Sequence, residues 1–319
     1  MLRLRTLLRH HRVNQATLTY TFGLTDPVLT FTIDGWAEDT RLYDLCWLVN
    51  ADTPAAVAIT PPMQIHKLSR SVYSRTASGV ARLISGYNGV PAEDDITALV
   101  RDAIQQPPYS EWDALLRDYG GFERLVQPPV TLTTQSISGF RIRLAKYGLV
   151  MSPNLRLGSA EIVWTVVSMF ATAGTSEQPL GLTTDPEIED INNPQAEVPI
   201  RARFLDPSRP GVIIDAEVAT GLGPYGQSHI QLPDVYQSRV HATVDGQALA
   251  YKAGIGLYKI KVTTPITDIT LGSVVSVSGA ESDPILSINA QKLTHNWSNA
   301  GYLTTIEGWL IGEPPWLAR

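Results

Sequence analysis

Residues 293–308 read LTHNWSNAGYLTTIEG, and Trp309 follows. Leu293, His295 and Trp297 alternate with Thr294 and Asn296, the period of a strand with one buried face. The polar corner Ser-Asn-Ala-Gly comes next. Gly301 turns the chain there, a task suited to a residue without a Cβ. Tyr302 then opens a second alternating run, YLTTIEGW, and its ring is expected to be partly buried. The stretch therefore predicts two strands paired across a tight corner. Just upstream, residues 271–279, LGSVVSVSG, read as a further strand entered from a glycine turn.

The word TIEGW at 305–309 has a near twin, TIDGW, at 32–36. Either the match is coincidence or the chain holds two copies of one small β module. Duplication would put Trp36 and Trp309 in equivalent corners of two barrels; coincidence would leave them as core tryptophans of unrelated strands. Around the first copy, ATLTYTFGL and VLTFTIDGW alternate on either side of Asp26-Pro27, which predicts a hairpin with Leu18, Tyr20 and Phe22 on one face.

Between the two words the texture changes. Residues 91–105, PAEDDITALVRDAIQ, place Ile96, Leu99, Val100 and Ile104 on one helical face behind an acidic first turn. In SEWDALLRDYGGFERLV, Ser110 is the expected N-cap and Gly120-Gly121 the expected stop. Strands are expected again in PVTLTTQSISGFRIRLAKYG, and residues 162–174, IVWTVVSMFATAG, read as a buried strand or a core helix. A long acidic loop is expected over 177–199, then a meander of strands in which Asp245-Gly246 marks a hairpin and GEPPWLAR an extended tail. The predicted fold class is mainly β (α+β), two similar β-barrel modules with a helical insert. Residues 1–65 begin the first module, 66–126 form the helical insert, 127–205 complete the first module and carry the acidic loop, and 206–319 form the second barrel and tail.

The totals suit that reading. The chain has 319 residues, 44% hydrophobic and only 18% charged, with 24 Gly and 22 Pro, a balance typical of short strands and turns. A net charge of −6 argues against general nucleic-acid binding. The basic start, MLRLRTLLRHHR, is Arg-rich and acid-poor like a transit segment but short and alternating, and is read as a strand or an ordered arm at an interface. No apolar run is long enough to span a bilayer. Cys46 is the single cysteine, which excludes an intramolecular disulfide and a Cys-rich metal site. Set between apolar neighbours in YDLCWLV, it reads as a buried, inert thiol.

The motifs that carry chemistry do not survive inspection. GLGPYG (221–226) matches a dinucleotide-binding pattern by letter, but Pro224 sits inside it and no helix follows to hold a pyrophosphate. The acids of TDPEIEDINN lack the alternation and central glycine of a calcium loop. His10 and His11 are adjacent, and His66, His229, His241 and His295 are scattered without metal-binding spacing. Asp34 and Glu307 are read as solvent-facing acids at strand ends rather than a catalytic pair. No catalytic residue, cofactor or metal is expected, and the chain is not read as an enzyme.

Residues 293–308 resemble the closing hairpin of hub proteins from contractile phage tails and related injection machines. The matching positions are an apolar residue before His295, the turn ending in Gly301, the aromatic Tyr302, and Thr304 and Thr305. The resemblance covers about thirty residues well and the β–helical–β layout loosely. It implies a trimeric baseplate hub of a virion tail, assembled in the host cytoplasm, whose two barrels per chain make six near-equivalent places and join a three-fold spike to a six-fold tail tube. Tail-tube and spike proteins would be the partners, and Trp36, Trp309, His295, Trp297, Gly301 and Tyr302 the structural and interface positions. A distal-tail ring or adaptor is the alternative. A carbohydrate-binding or carbohydrate-active protein, with Trp112, Trp297 and Trp316 as stacking platforms, is a further one.

Overall fold

Alternation in the first part of the chain becomes seven strands in the computed structural model. They are β1 (Leu2–Thr6), β2 (His10–Thr21), β3 (Val28–Asp34), β4 (Leu45–Asn50), β5 (Val57–Ala58), β6 (Met63–Ser71) and β7 (Thr76–Leu83). The structure describes residues 2–22, 26–50, 57–83, 92–155, 162–170, 179–190, 200–205, 209, 213–219, 228–231, 238–254, 258–265, 269–279, 284–298 and 301–311. The six longer strands pair in the circular order β1-β4-β6-β7-β3-β2 and back to β1, all antiparallel, which closes a barrel along their first halves. Every second residue points inward, so Leu4, Leu18, Leu29, Ile33, Leu48 and Ile65 are fully buried. Cys46 lies among them, and burial pushes its thiol up to about 12, which keeps it inert.

The chain then leaves the barrel for a helical module. It comprises α1 (Glu93–Ala103), α2 (Tyr109–Leu115), α3 (Gly121–Leu125) and α4 (Thr134–Lys146), backed by a hairpin of β8 (Leu149–Leu155) and β9 (Ile162–Ser168). Its core is separate and aromatic: Tyr109, Trp112, Phe122 and Tyr147 pack ring against ring. β10 (Leu180–Gly181) and β11 (Glu187–Asp190) follow. A small sheet of β12 (Ile200–Leu205), β13 (Ile213–Ala219) and β14 (Ser228–Gln231) comes next, with α5 (Arg239–Gly254) along it. α5 also reaches the helical core through Val244 and Ala248. Last come β15 (Tyr258–Pro265), β16 (Val274–Ser278), β17 (Leu286–Ser298) and β18 (Gly301–Ile311).

These last strands form a second barrel with β10 and β11. β16, β17, β18, β15 and β11 pair in that order. The segment between β10 and β11 shuts the circle: Leu180 and Gly181 pair with β16, while the Thr183 amide donates to the Thr263 carbonyl of β15 at 2.8 Å. The two barrels repeat each other in chain order. β1, β2, β3, β4, β6 and β7 of the first correspond to β10, β11, β15, β16, β17 and β18 of the second. The pairing order β1-β4-β6-β7-β3-β2 recurs as β10-β16-β17-β18-β15-β11, although the second closes onto β15 through Thr183 where the first closes by pairing β1 with β2. One residue bulges from the same strand in each, His66 from β6 opposite β7 and Gln291 from β17 opposite β18. When the copies are aligned on those bulges, β3 and residues 259–265 of β15 share the same sequence of buried, intermediate and exposed positions. Lys67-Leu68-Ser69 falls on Lys292-Leu293-Thr294. β10 departs from the scheme: it runs parallel to β16, whereas β1 is antiparallel to β4.

Several sequence expectations fail at defined places. Residues 66–83 are barrel strands, so the insert begins later than 66; the first barrel is complete by Leu83, and residues 127–205 do not finish it. TQSISGFRIRLAK is helix α4, not strand. Thr133 caps it, accepting from the Ser136 amide at 3.1 Å while its own amide donates to Ser136 Oγ at 2.7 Å. Its buried residues, Ile137, Phe140, Arg141 and Leu144, keep helical spacing beneath an Arg-Ile-Arg-Leu run that mimics alternation. Asp245-Gly246 is not a turn but lies inside α5, where Asp245 is buried against Lys146 at 2.5 Å. The 177–199 loop contributes β10 and β11. Its residues 191–199, the GLGPYG stretch, residues 171–174 and the tail with Trp316 lie outside the described residues.

Candidate assembly interface

The two barrels meet at one seam, where β2 pairs antiparallel with β17 from Gln15↔Ser298 to Thr21↔Lys292. β2 changes partner to make it. Residues 10–12 pair with β1, Asn14 bulges, and residues 15–21 pair with β17. β17 does the same, with residues 286–289 on β16, Gln291 as the bulge, and 292–298 on β2. A bulge bends its strand and adds twist, so each strand serves its own barrel with its first half and the joint with its second.

His295 sits in this joint. It is buried, its Nδ1 lies 2.9 Å from Thr304 Oγ1, and the Tyr20 ring meets it edge-on at 5.6 Å. Burial holds its imidazole down at about 4, so it is neutral at ordinary pH. Trp297 is only 4% exposed and packs in the same core. Gly301 has φ +137° with open space beside it, so backbone conformation alone demands glycine there. Tyr302, by contrast, is 49% exposed, so its ring lies half in water. The structure thus joins His295, Trp297, Gly301 and Tyr302 in one hairpin.

It does not place Trp36 and Trp309 in equivalent corners. TIDGW ends β3 and leaves it, since Gly35 has φ +80° and Trp36 donates through Nε1 to the Ser71 carbonyl at 2.9 Å. TIEGW lies inside β18, whose counterpart is β7, not β3. The repeated words are a coincidence laid over a real repetition of barrels. Gly308 of TIEGW has its own reason to be glycine: a Cβ there would run into the Asn289 carbonyl.

Sequence reasoning missed a further feature, because it appears only once strand directions are known. The turns β1–β2, β3–β4 and β6–β7 all lie at one end of the first barrel, and β17–β18 opens at the same end of the second. Leu7, Leu8, Leu42, Tyr43, Val72 and Tyr73 stand exposed on those turns, with Tyr302 and Leu303 beside the fourth. Arg70 braces this end. Its guanidinium donates to the carbonyls of Trp36 (2.7 Å), Ala37 (3.2 Å) and Thr40 (2.7 Å). The opposite end faces the helical module, where buried Arg141 bridges to Asp26 of the β2–β3 turn at 3.2 Å. Trp112 and Trp297 are both buried and present no open face for a sugar. Among the described residues no three His, Cys, Asp or Glu side chains are placed to hold a metal, and no helix is long and apolar enough to cross a membrane.

No protein-family model matches the sequence, and no curated protein matches it either. Solved structures do match its fold. The 43 kDa tail protein of prophage MuSo2 from Shewanella oneidensis superposes with a TM-score of 0.57 at 12% identity, covering 96% of this chain and 97% of that one. A tail protein from Neisseria meningitidis MC58 superposes at 0.55 and 11% identity, over 98% of this chain and 96% of that one. A component of the Escherichia coli type VI secretion system also matches, at a TM-score of 0.43 and 12% identity, over 98% of this chain and 77% of that one. At these identities the likeness to the first two is one of fold: this chain is β-rich and shares its fold with these prophage tail proteins.

Proposed function

We propose that the chain is a structural component of a phage-like tail, a baseplate hub that assembles as a homotrimer and joins a three-fold spike to a six-fold tail tube. One observation carries the reading. A single chain holds two barrels with the same strand order, corresponding bulges and matching burial, so three chains present six near-equivalent places. The fold shared with prophage tail proteins supports the setting, a virion tail baseplate assembled in the host cytoplasm. The unlike ends support a connector: turns with exposed apolar side chains at one, a helical module at the other. The role asks for rigid barrels and edges, and the reading assigns no catalysis and no cofactor.

Native mass spectrometry of the purified chain tests it. A trimer, alone or on addition of a spike protein, is the expected result. A hexamer would favour a distal-tail ring or adaptor. A stable monomer at high micromolar concentration, with no partner-induced trimer, would sink the hub.

A further inference from the structure

We propose that neighbouring copies of this chain join by adding β11 of one copy to the exposed edge of β6 in the next, repeating between chains the seam that β2 and β17 make within one. The inference rests on the trimeric reading and names the surfaces that would close the ring.

The argument begins with the correspondence of strands. β6 matches β17 and β11 matches β2. In β17, residues 292–298 are covered by β2. In β6, the matching stretch from Lys67 to Ser71 pairs with β7 on one side, and among the described residues no strand pairs on the other. β4 reaches only Met63 and Gln64 of β6, as β16 reaches only the first half of β17. β11 likewise pairs with β15 on one side, and its other edge carries no strand among the described residues. A strand edge with no neighbouring strand is a template for another strand, and in β6 the Ser71 carbonyl is already held by the Trp36 indole.

Burial agrees. Leu293 is buried by the seam, while its counterpart Leu68 is only partly covered. Thr294 and Asn296 are half-buried, while Ser69 and Ser71 are exposed. The first barrel has the exposure pattern of a strand whose neighbour is missing. Charge agrees as well. β11 reads Glu-Ile-Glu-Asp, with Glu187, already paired to Lys261, and Glu189 on the face that carries Lys67 in β6, while Arg70 stays with the carbonyls of its own barrel end. Two β6 edges would repel, as would two β11 edges, so the contact is head-to-tail, the kind that closes a ring.

Copying the register of the internal seam sets Glu187 opposite Ser71, Ile188 opposite Arg70 and Glu189 opposite Ser69. A chain carrying Ser69→Cys is mixed with one carrying Glu189→Cys and oxidised with copper phenanthroline. Buried Cys46 serves as the silent background. The expected result is a covalent dimer in the mixture and none from either variant alone. The double variant should give a covalent ladder that stops at three chains. A native-mass trimer with no 69–189 cross-link would overturn the strand pairing and leave the trimer standing. Cross-links that run past three chains would keep the pairing and overturn three-chain closure. As a second measurement, Glu189→Lys should raise the concentration needed for assembly at least tenfold, and unchanged assembly would count against the charged edge.

Discussion

β6 and β17 are corresponding strands with different fates. They share the Lys-Leu-Ser/Thr motif, the bulge before it and the same place in the barrel order. Yet the second half of β17 lies in a core and the second half of β6 lies in water. The difference is a neighbour, not a propensity. What a strand buries depends on what is laid along its edge, so equal sequence patterns carry unequal energies in the two barrels. Substitutions at matched sites measure that inequality directly.

The largest contrast is expected at the seam core. Trp297→Ala removes a buried indole and should cost about 4 kcal/mol, as for other large aromatic truncations, read as a lowered denaturation midpoint. In β6 the position two residues after Arg70, counted as Trp297 is from His295, is exposed Val72, and Val72→Ala should leave that midpoint unchanged. Equal losses would mean that the barrels do not correspond as described.

Protonation gives the next effect. The His295 imidazole is held at about 4, below its ordinary 6.5. The fold favours the neutral ring, so its stabilisation is complete above 6.5 and is lost as pH falls from 6.5 to about 4. The loss should approach 3 kcal/mol. Its counterpart in β6 is Arg70, whose guanidinium is held by the Trp36, Ala37 and Thr40 carbonyls. Replacing His295→Gln should flatten this part of the stability–pH curve. An unchanged acid slope in that variant would remove His295 as the cause.

Close packing comes third. Gly308→Ala drives a Cβ into the Asn289 carbonyl and should cost about 2 kcal/mol. The matched residue of β7 is already alanine, Ala81, buried without that clash. Thermal melting of the variant is the check, and a wild-type melt would mean that the strands spread apart at no cost. The smallest effect belongs to Tyr302→Ala. With the ring half in water, the loss should stay within about 0.5 kcal/mol, the range of surface substitutions. A larger loss would mean that the ring contributes more burial than its exposure shows.

The β class, both hairpins and α1 were legible because alternation, helical spacing and an acidic first turn are local signals, whereas Ser110, expected as an N-cap, lies inside α2 behind Pro108. Leu18, Phe31 and Ile33 announce their face from two-residue spacing. α4 and α5 were not legible, for physical reasons. In α4 the run Arg-Ile-Arg-Leu satisfies a period of 2 as well as 3.6, and packing against the helical core decides between them. In α5 an Asp-Gly pair that favours a turn is overruled by Val244 and Ala248 in the aromatic module and by the buried Asp245–Lys146 contact. The duplication was sensed for a reason that failed, since TIDGW and TIEGW occupy non-corresponding strands. Its real carriers, strand order, bulge position and burial, depend on which strands pair, and that is invisible in one dimension. The exposed turns were hidden for the same reason, because Leu7, Tyr43 and Tyr73 are distant in sequence and share an end only once strand directions are assigned.

Those turns have a consequence of direction. The barrels carry their bare apolar turns at one end and the helical module, fastened by Arg141 to Asp26, at the other. In the proposed ring, copies related by rotation about an axis along the strands would all point the same way, giving a layer with two chemically different faces. A molecule that fits one face finds none of the same groups on the other. Such a layer is a one-way joint: it distinguishes front from back, and whatever is stacked on it inherits that polarity.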